Sequence, residues 1–150
     1  MVFLKAIIVW LVFIVAESIN GTVRMFWLVP LLGDIRAHQI SFIMGSLLIL
    51  AIATIFIQWL HTSQTSQLIK VGLLWLLLTV VFEIVLGRFI LGYSWQRIAS
   101  DYNLLQGGLM PIGLVFLVLS PVIATKVRSF IFTSSSNSLL INQGRGSQKF

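Results

Sequence analysis

Four stretches of about twenty mostly apolar residues dominate this sequence, and they restrict its fold more than anything else in it. A hydrocarbon core of about 30 Å is crossed by roughly 20 helical residues, because backbone amides must find their partners inside the segment. The clearest stretch, residues 40–60, has no formal charge and is flanked by His38 and His61. Residues 109–127 are apolar up to Lys126, with Pro111 in a tolerant first turn and Pro121 where it should kink or loosen the helix. Residues 2–20 and 68–91 are as long, but carry Glu17 in the first and Glu83 with Arg88 in the second. The expected fold is therefore all-α: a bundle of four transmembrane helices in two tandem hairpins, joined by the polar turn 62–67.

Composition agrees and narrows the function classes. Of the 150 residues, 58% are hydrophobic and 9% charged, and the mean hydropathy is +1.02, which excludes an ordinary water-soluble domain. With no cysteine there is no disulfide, thiolate metal ligand or thiol nucleophile, and two histidines at opposite ends of one helix do not make a metal site. The net charge of +6 fits membrane flanks and headgroups better than nucleic acid. No phosphate loop, nucleophile elbow or HExxH pair occurs, so no catalytic, cofactor or metal residues are assigned.

The two halves, 1–60 and 67–127, look alike. An offset of 66 places Glu17 on Glu83 and Gly21 on Gly87, and an offset of 67 places Asp34 on Asp101 and Gln39 on Gln106. Chance alignment of apolar sequence is the alternative; a duplication would give parallel repeats about an axis along the membrane normal. Between the spans of the second half, Ser94 is placed to cap a short interfacial helix with Trp95, Ile98, Tyr102 and Leu105 on one face and Gln96, Arg97, Asp101 and Asn103 on the other. In the first half, residues 25–32 read as an interfacial or re-entrant loop broken by Pro30 and Gly33, after which Asp34 caps the second long helix. Residues 133–150 have little to bury and are expected to form a flexible polar tail beyond a single domain, 1–132.

With four spans both termini share one face, which holds Lys5, Lys70, Lys126, Arg128, Arg145 and Lys149 against Arg24, Arg36, Arg88 and Arg97 on the other. That bias favours cytoplasmic termini in a bacterial inner membrane. Lys5, the apolar run after it and Ala16-Glu17-Ser18 also resemble a signal peptide, but the matching Glu83 segment argues for a retained helix.

A lone carboxylate inside a span costs several kcal/mol unless it is protonated, paired or wet, so Glu17 and Glu83 are the most informative positions. With Asn20, Arg24, Gln39 and Arg88 they are expected to form an intramembrane polar cluster, and Trp95, Arg97, Asp101 and Tyr102 an interfacial set. Arg24 follows Glu17 by seven residues and returns to nearly the same helix face, whereas Arg88 follows Glu83 by five, a poor spacing for pairing on one helix. Trp10, Phe13, Trp59, Trp75 and Phe82 read as packing or interface anchors. Gly45-Ser46, Ala51, Ala53, Gly72 and Gly113 permit close helix approach.

The block Phe82-Glu83-Ile84-Val85-Leu86-Gly87-Arg88-Phe89, with Gly92-Tyr93-Ser94-Trp95, Asp101-Tyr102 and Gly107-Gly108, resembles an uncharacterised group of small bacterial four-span membrane proteins. Ala16-Glu17, Asn20-Gly21, Arg24 and Gly33-Asp34-Ile35-Arg36-Ala37 fit the same resemblance. It covers about residues 10–127 and implies an intact four-helix membrane unit, but no activity. Three functions are consistent with these residues: binding or conducting a proton, ion or small polar species at the Glu/Arg cluster; a structural or assembly subunit of a membrane complex; and a membrane-embedded lipid-modifying enzyme. The expected partners are the lipid bilayer and either further copies of the chain, since four spans enclose little cavity, or another membrane protein.

Overall fold

The computed structural model describes residues 1–62 and 64–146, with side chains described through residue 135 except at 63. Among them there is no strand, and four helices are long and apolar enough to cross a membrane: Val2–Leu32, Asp34–Phe56, Thr65–Ile90 and Met110–Ser135. The protein is a multi-pass integral membrane protein of four spans.

The first span is one continuous helix made of α1 (Val2–Val23), a wide π turn at Arg24–Leu28 and α2 (Val29–Leu32). This corrects the loop expected at 25–32. A proline inside a helix lacks an N–H and its ring crowds the carbonyl four residues back. Here the π turn, closed by Val29 N–H donating to Arg24 O, widens the helix just before Pro30. The break comes three residues later, at Gly33, whose φ of 78° is open to glycine and costly for other residues.

Helix α3 (Asp34–Phe56) starts at once and antiparallel to α1. Its N-cap position is Gly33, and Asp34 lies within the first turn with no capping hydrogen bond of its own. The expected Asp34 cap is thus replaced by an acidic first turn next to the positive end of the helix dipole. At the other end α3 stops at Phe56, earlier than residue 60, and incoming cations take its late carbonyls. Arg128 donates to Thr54 O at 3.1 Å, and Lys5 donates to Trp59 O in the following turn at 2.8 Å.

Helix α4 (Thr65–Val85) also ends in a π turn, Leu86–Ile90, and the chain then reverses at Gly92, φ 67°. The short helix α5 (Trp95–Asp101) forms as expected, with Ser94 accepting from the Arg97 N–H at 3.3 Å. The helix ends at Asp101, so Leu105, expected on the same face, lies instead in a 3-10 turn, Leu104–Gln106; Trp95 at the start of α5 is 58% exposed and Leu105 98%, which suits a segment lying at the bilayer surface. Helix α6 begins at Met110 and is helical through Gly146, over most of the stretch where composition predicted a flexible tail. No glycine or proline interrupts residues 122–143, and hydroxyls such as Thr133, donating to Ser129 O, bond back along the helix. Residues 147–150 lie outside the described residues.

Pro121 sits in the middle of α6 without ending it. Its missing N–H leaves Leu117 O without the usual partner, and the Ser120 hydroxyl donates to that carbonyl at 2.7 Å. Both Ser120 and Pro121 are fully buried, so the repair happens where no water could make it.

The helices close a ring in which α1 packs on α3, α3 on α6, α6 on α4 and, less extensively, α4 on α1. Helix α4 meets α6 at Gly72, where an added Cβ would collide with the Val118 carbonyl, so two backbones touch there. Most of the apolar core occupies the half of the bundle near the termini: Val9, Phe13, Leu60, Leu68, Val71 and Trp75, with Leu117 and Ala124 from α6. Trp75 stacks edge-on to Phe13 at 4.7 Å and donates its indole N–H to Ala6 O at 2.8 Å. Trp10 likewise donates to Thr79 Oγ1 at 3.0 Å and meets Phe82 edge-on at 6.0 Å. With every indole proton in this core satisfied, the other half of the bundle is left to hold the polar residues.

Candidate functional site

Glu17 lies about 18 Å along α1 from Lys5, well inside the first span. Two side chains and one missing side chain make up its surroundings. Asn20, one turn on, donates one amide hydrogen to Glu17 Oε2 at 3.2 Å and another to Ser41 O on α3 at 3.0 Å. The Ser41 hydroxyl completes the set by donating to Asn20 Oδ1 at 3.2 Å. Asn20 therefore has both donors and its acceptor engaged, and it holds α1 against α3 in a fixed register. Gly45 lies beneath the carboxylate: a Cβ there would be 2.7 Å from Glu17 Oε2 and 3.0 Å from Oε1.

One atom of this arrangement is unsatisfied. Glu17 Oε1 is buried and accepts no hydrogen bond. A buried polar atom without a partner costs roughly 1–3 kcal/mol, and more for a charged one, so this oxygen is a place where a proton, a cation or a donor from outside would be welcome.

Arg24 supplies a compensating charge. Its guanidinium contacts His38 Nδ1 at 3.1 Å, and because arginine only donates, that ring nitrogen must be unprotonated. The same arginine acts electrostatically on both Glu17 and Glu83. Glu83, on α4, lies exposed on the helix surface and feels the carboxylate of Asp101 at the end of α5. Tyr102, next in the chain, has a buried hydroxyl with no hydrogen-bond partner. Burial first, then the negative charges of Glu83 and Asp101, push its pKa above the usual tyrosine range, so it is a phenol with a hydrogen to give.

The other expected members lie elsewhere. Arg88 donates to Tyr93 O at 3.2 Å and covers the Trp95 ring at 5.6 Å, turned toward the interface rather than toward Glu83. Arg97 covers Tyr93 at 4.6 Å. Gln39 is on the exposed side of α3. The structure thus brings together Glu17, Asn20 and Arg24, with Glu83, Asp101 and Tyr102 linked through charge, and it separates Arg88 and Gln39 from them.

Ser41, Gly45 and His38 complete the site and were not foreseen in it. A signal for two of them existed: Ala37, Ser41 and Gly45 recur every four residues, a small-residue stripe on one face of α3, and all three are buried. That stripe is what lets the α1 carboxylate approach the α3 backbone. Among the described residues no group of three or more His, Cys, Asp or Glu is placed to hold a metal ion. Comparison with known proteins finds no protein family, no curated protein and no solved structure that matches this chain.

Proposed function

We propose that this protein takes up a proton, or a small cation in its place, at the Glu17 carboxylate inside the membrane, and through it binds or conducts a small polar species. The observation that carries this reading is the buried, unpartnered Glu17 Oε1, held in place by Asn20 and the Gly45 backbone. Charge balance supports it: Arg24 acts on both Glu17 and Glu83, while Arg88 is engaged at the interface and Asp101 adds a further negative charge near Glu83, so the cluster holds more negative than positive charge. Glu83 and the Tyr102 phenol form the route by which the proton or cation reaches the face opposite the termini. The two hairpins are read as duplicated units, in keeping with a first helix that ends in a π turn in each, and the termini as cytoplasmic in a bacterial inner membrane.

The test is proton flux into liposomes under an imposed pH gradient, for the wild type and for the Glu17→Gln, Glu83→Gln double mutant, with thermal stability measured alongside. Flux in the wild type, abolished in a mutant that keeps its stability, is the expected result. No flux from either protein, with the mutant clearly less stable, would overturn the reading and make the cluster a packing lock for a structural subunit.

A further inference from the structure

The opposite end of the bundle carries a cavity outside the Glu17 cluster. Where α3 ends, an open cavity of about 360 Å³ lies between that end and α6, with Gln58, His61, Thr62, Thr125, Arg128 and Ser129 on its walls. That volume is in the range of roughly 300–1,000 Å³ typical of small-ligand sites. Its polar groups are not equal donors. Thr125 Oγ1 donates to Pro121 O, Ser129 Oγ to Lys126 O and Thr62 Oγ1 to Gln67 Oε1, so these hydroxyls present lone pairs or nothing. Arg128 differs: one N–H group caps Thr54 O at 3.1 Å, while its Nε is buried with no acceptor at all.

Among the described residues no carboxylate matches the positive charge around this cavity; Lys5 and Arg128 donate to backbone carbonyls at and after the end of α3. Lys5, Lys70, Lys126 and Arg128 are all at this end, and Lys5 lies 3.4 Å from His61. The four acids, Glu17, Asp34, Glu83 and Asp101, are all toward the other face; along α3 alone Asp34 is about 30 Å from the level of Arg128. At the rim of a membrane span, the anion at hand is phosphate, either in a lipid headgroup or free at the surface.

We propose that this cavity binds a phosphate group, with Arg128 as its charged anchor and the Gln58 amide as a neutral donor. Arginine suits the role because its planar fork keeps several N–H groups for phosphate oxygens after one has been given to Thr54. Binding there also neutralises a helix end already crowded with positive charge.

Native mass spectrometry of the full chain in an uncharged detergent tests this, with dioleoyl phosphatidylglycerol, dioleoyl phosphatidylcholine and inorganic phosphate as probes. The variants are Arg128→Gln, Gln58→Leu and, as a control on the same face, Lys70→Gln. Saturable binding of phosphatidylglycerol, about tenfold weaker in Arg128→Gln and several-fold weaker in Gln58→Leu but little changed in Lys70→Gln, supports a headgroup site. Saturable binding of inorganic phosphate that displaces the lipid, with the same dependence on Arg128, supports a site for free phosphate. Because Arg128 also caps α3, Gln58→Leu decides the matter if Arg128→Gln fails to fold. Equal losses in all three variants would mean diffuse surface charge, and no saturable binding of any probe, or binding indifferent to Arg128 and Gln58, would also overturn the proposal.

Discussion

Substituting alanine at Gly45 tests the geometry around Glu17 most directly. The added Cβ would lie 2.7 Å from Glu17 Oε2 and 3.0 Å from both Glu17 Oε1 and Asn20 Nδ2, whereas ordinary contact begins near 3.4 Å. The carboxylate must therefore retreat by about 0.7 Å (3.4 − 2.7). A freely rotating glutamate would make that shift at little cost, but this one is tied to Asn20 at 3.2 Å, and Asn20 to Ser41. Overpacking of this kind costs about 1–3 kcal/mol, which for a chain of this length lowers a thermal midpoint by about 2–12 °C. Gly21, in the same helix as Glu17, is the internal control. A Cβ there meets nothing within 4 Å, so Gly21→Ala should be neutral or stabilising by up to about 1 kcal/mol through helix propensity. The assay is thermal unfolding in detergent together with proton flux in liposomes. Gly45→Ala should lose both stability and flux while Gly21→Ala loses neither. A Gly45→Ala protein as stable and as active as the wild type would refute the claim that the α3 backbone holds this carboxylate in place.

Two other residues give separable outcomes. Ser120→Ala should cost about 1–3 kcal/mol by orphaning the buried Leu117 carbonyl, and the cost should largely vanish in a Pro121→Ala background, where residue 121 regains an N–H; additive effects in this double-mutant cycle would show that the hydroxyl does not repair the helix. Tyr102 is predicted to titrate late, because burial and the negative charges of Glu83 and Asp101 raise its pKa above the ordinary value near 10. The folded state then holds this proton more tightly than the unfolded one, so the stability it contributes is full below about pH 10 and lost as pH rises through the folded pKa. The difference between wild type and Tyr102→Phe in thermal midpoint should therefore shift against the wild type above pH 10, and an alkaline stability profile identical in the two proteins would contradict this.

The helical fold and the four spans were legible residue by residue, because a backbone in hydrocarbon has few alternatives to helix and twenty apolar residues in a row announce one. Ser94 before Trp95 announced α5 in the same way, through a side-chain oxygen at an N-cap. Residues 25–32 were misread because Pro30 is a breaker by local rules, and the π turn that absorbs it is a backbone adjustment with no sequence code of its own. For Pro121, the repairing Ser120 was adjacent in the sequence, but its rotamer and burial were not.

Of the polar cluster, the sequence by itself determined which residues could not be indifferent: Glu17 and Glu83, because a carboxylate in an apolar span must be compensated, and Arg24, because seven residues bring it back to the same helix face. Tertiary structure alone decided how they are compensated. Gly45 comes up beneath Glu17 from an antiparallel helix and Ser41 holds the Asn20 that bonds it, the charge of Arg24 acts on two glutamates 66 positions apart, and Arg88 turns to Tyr93 and Trp95 instead. The physical reason is that helical periodicity sets which face a side chain occupies, whereas the depth and rotation at which two faces meet depend on where backbones can touch, as at Gly72 against Val118 and Gly45 beneath Glu17.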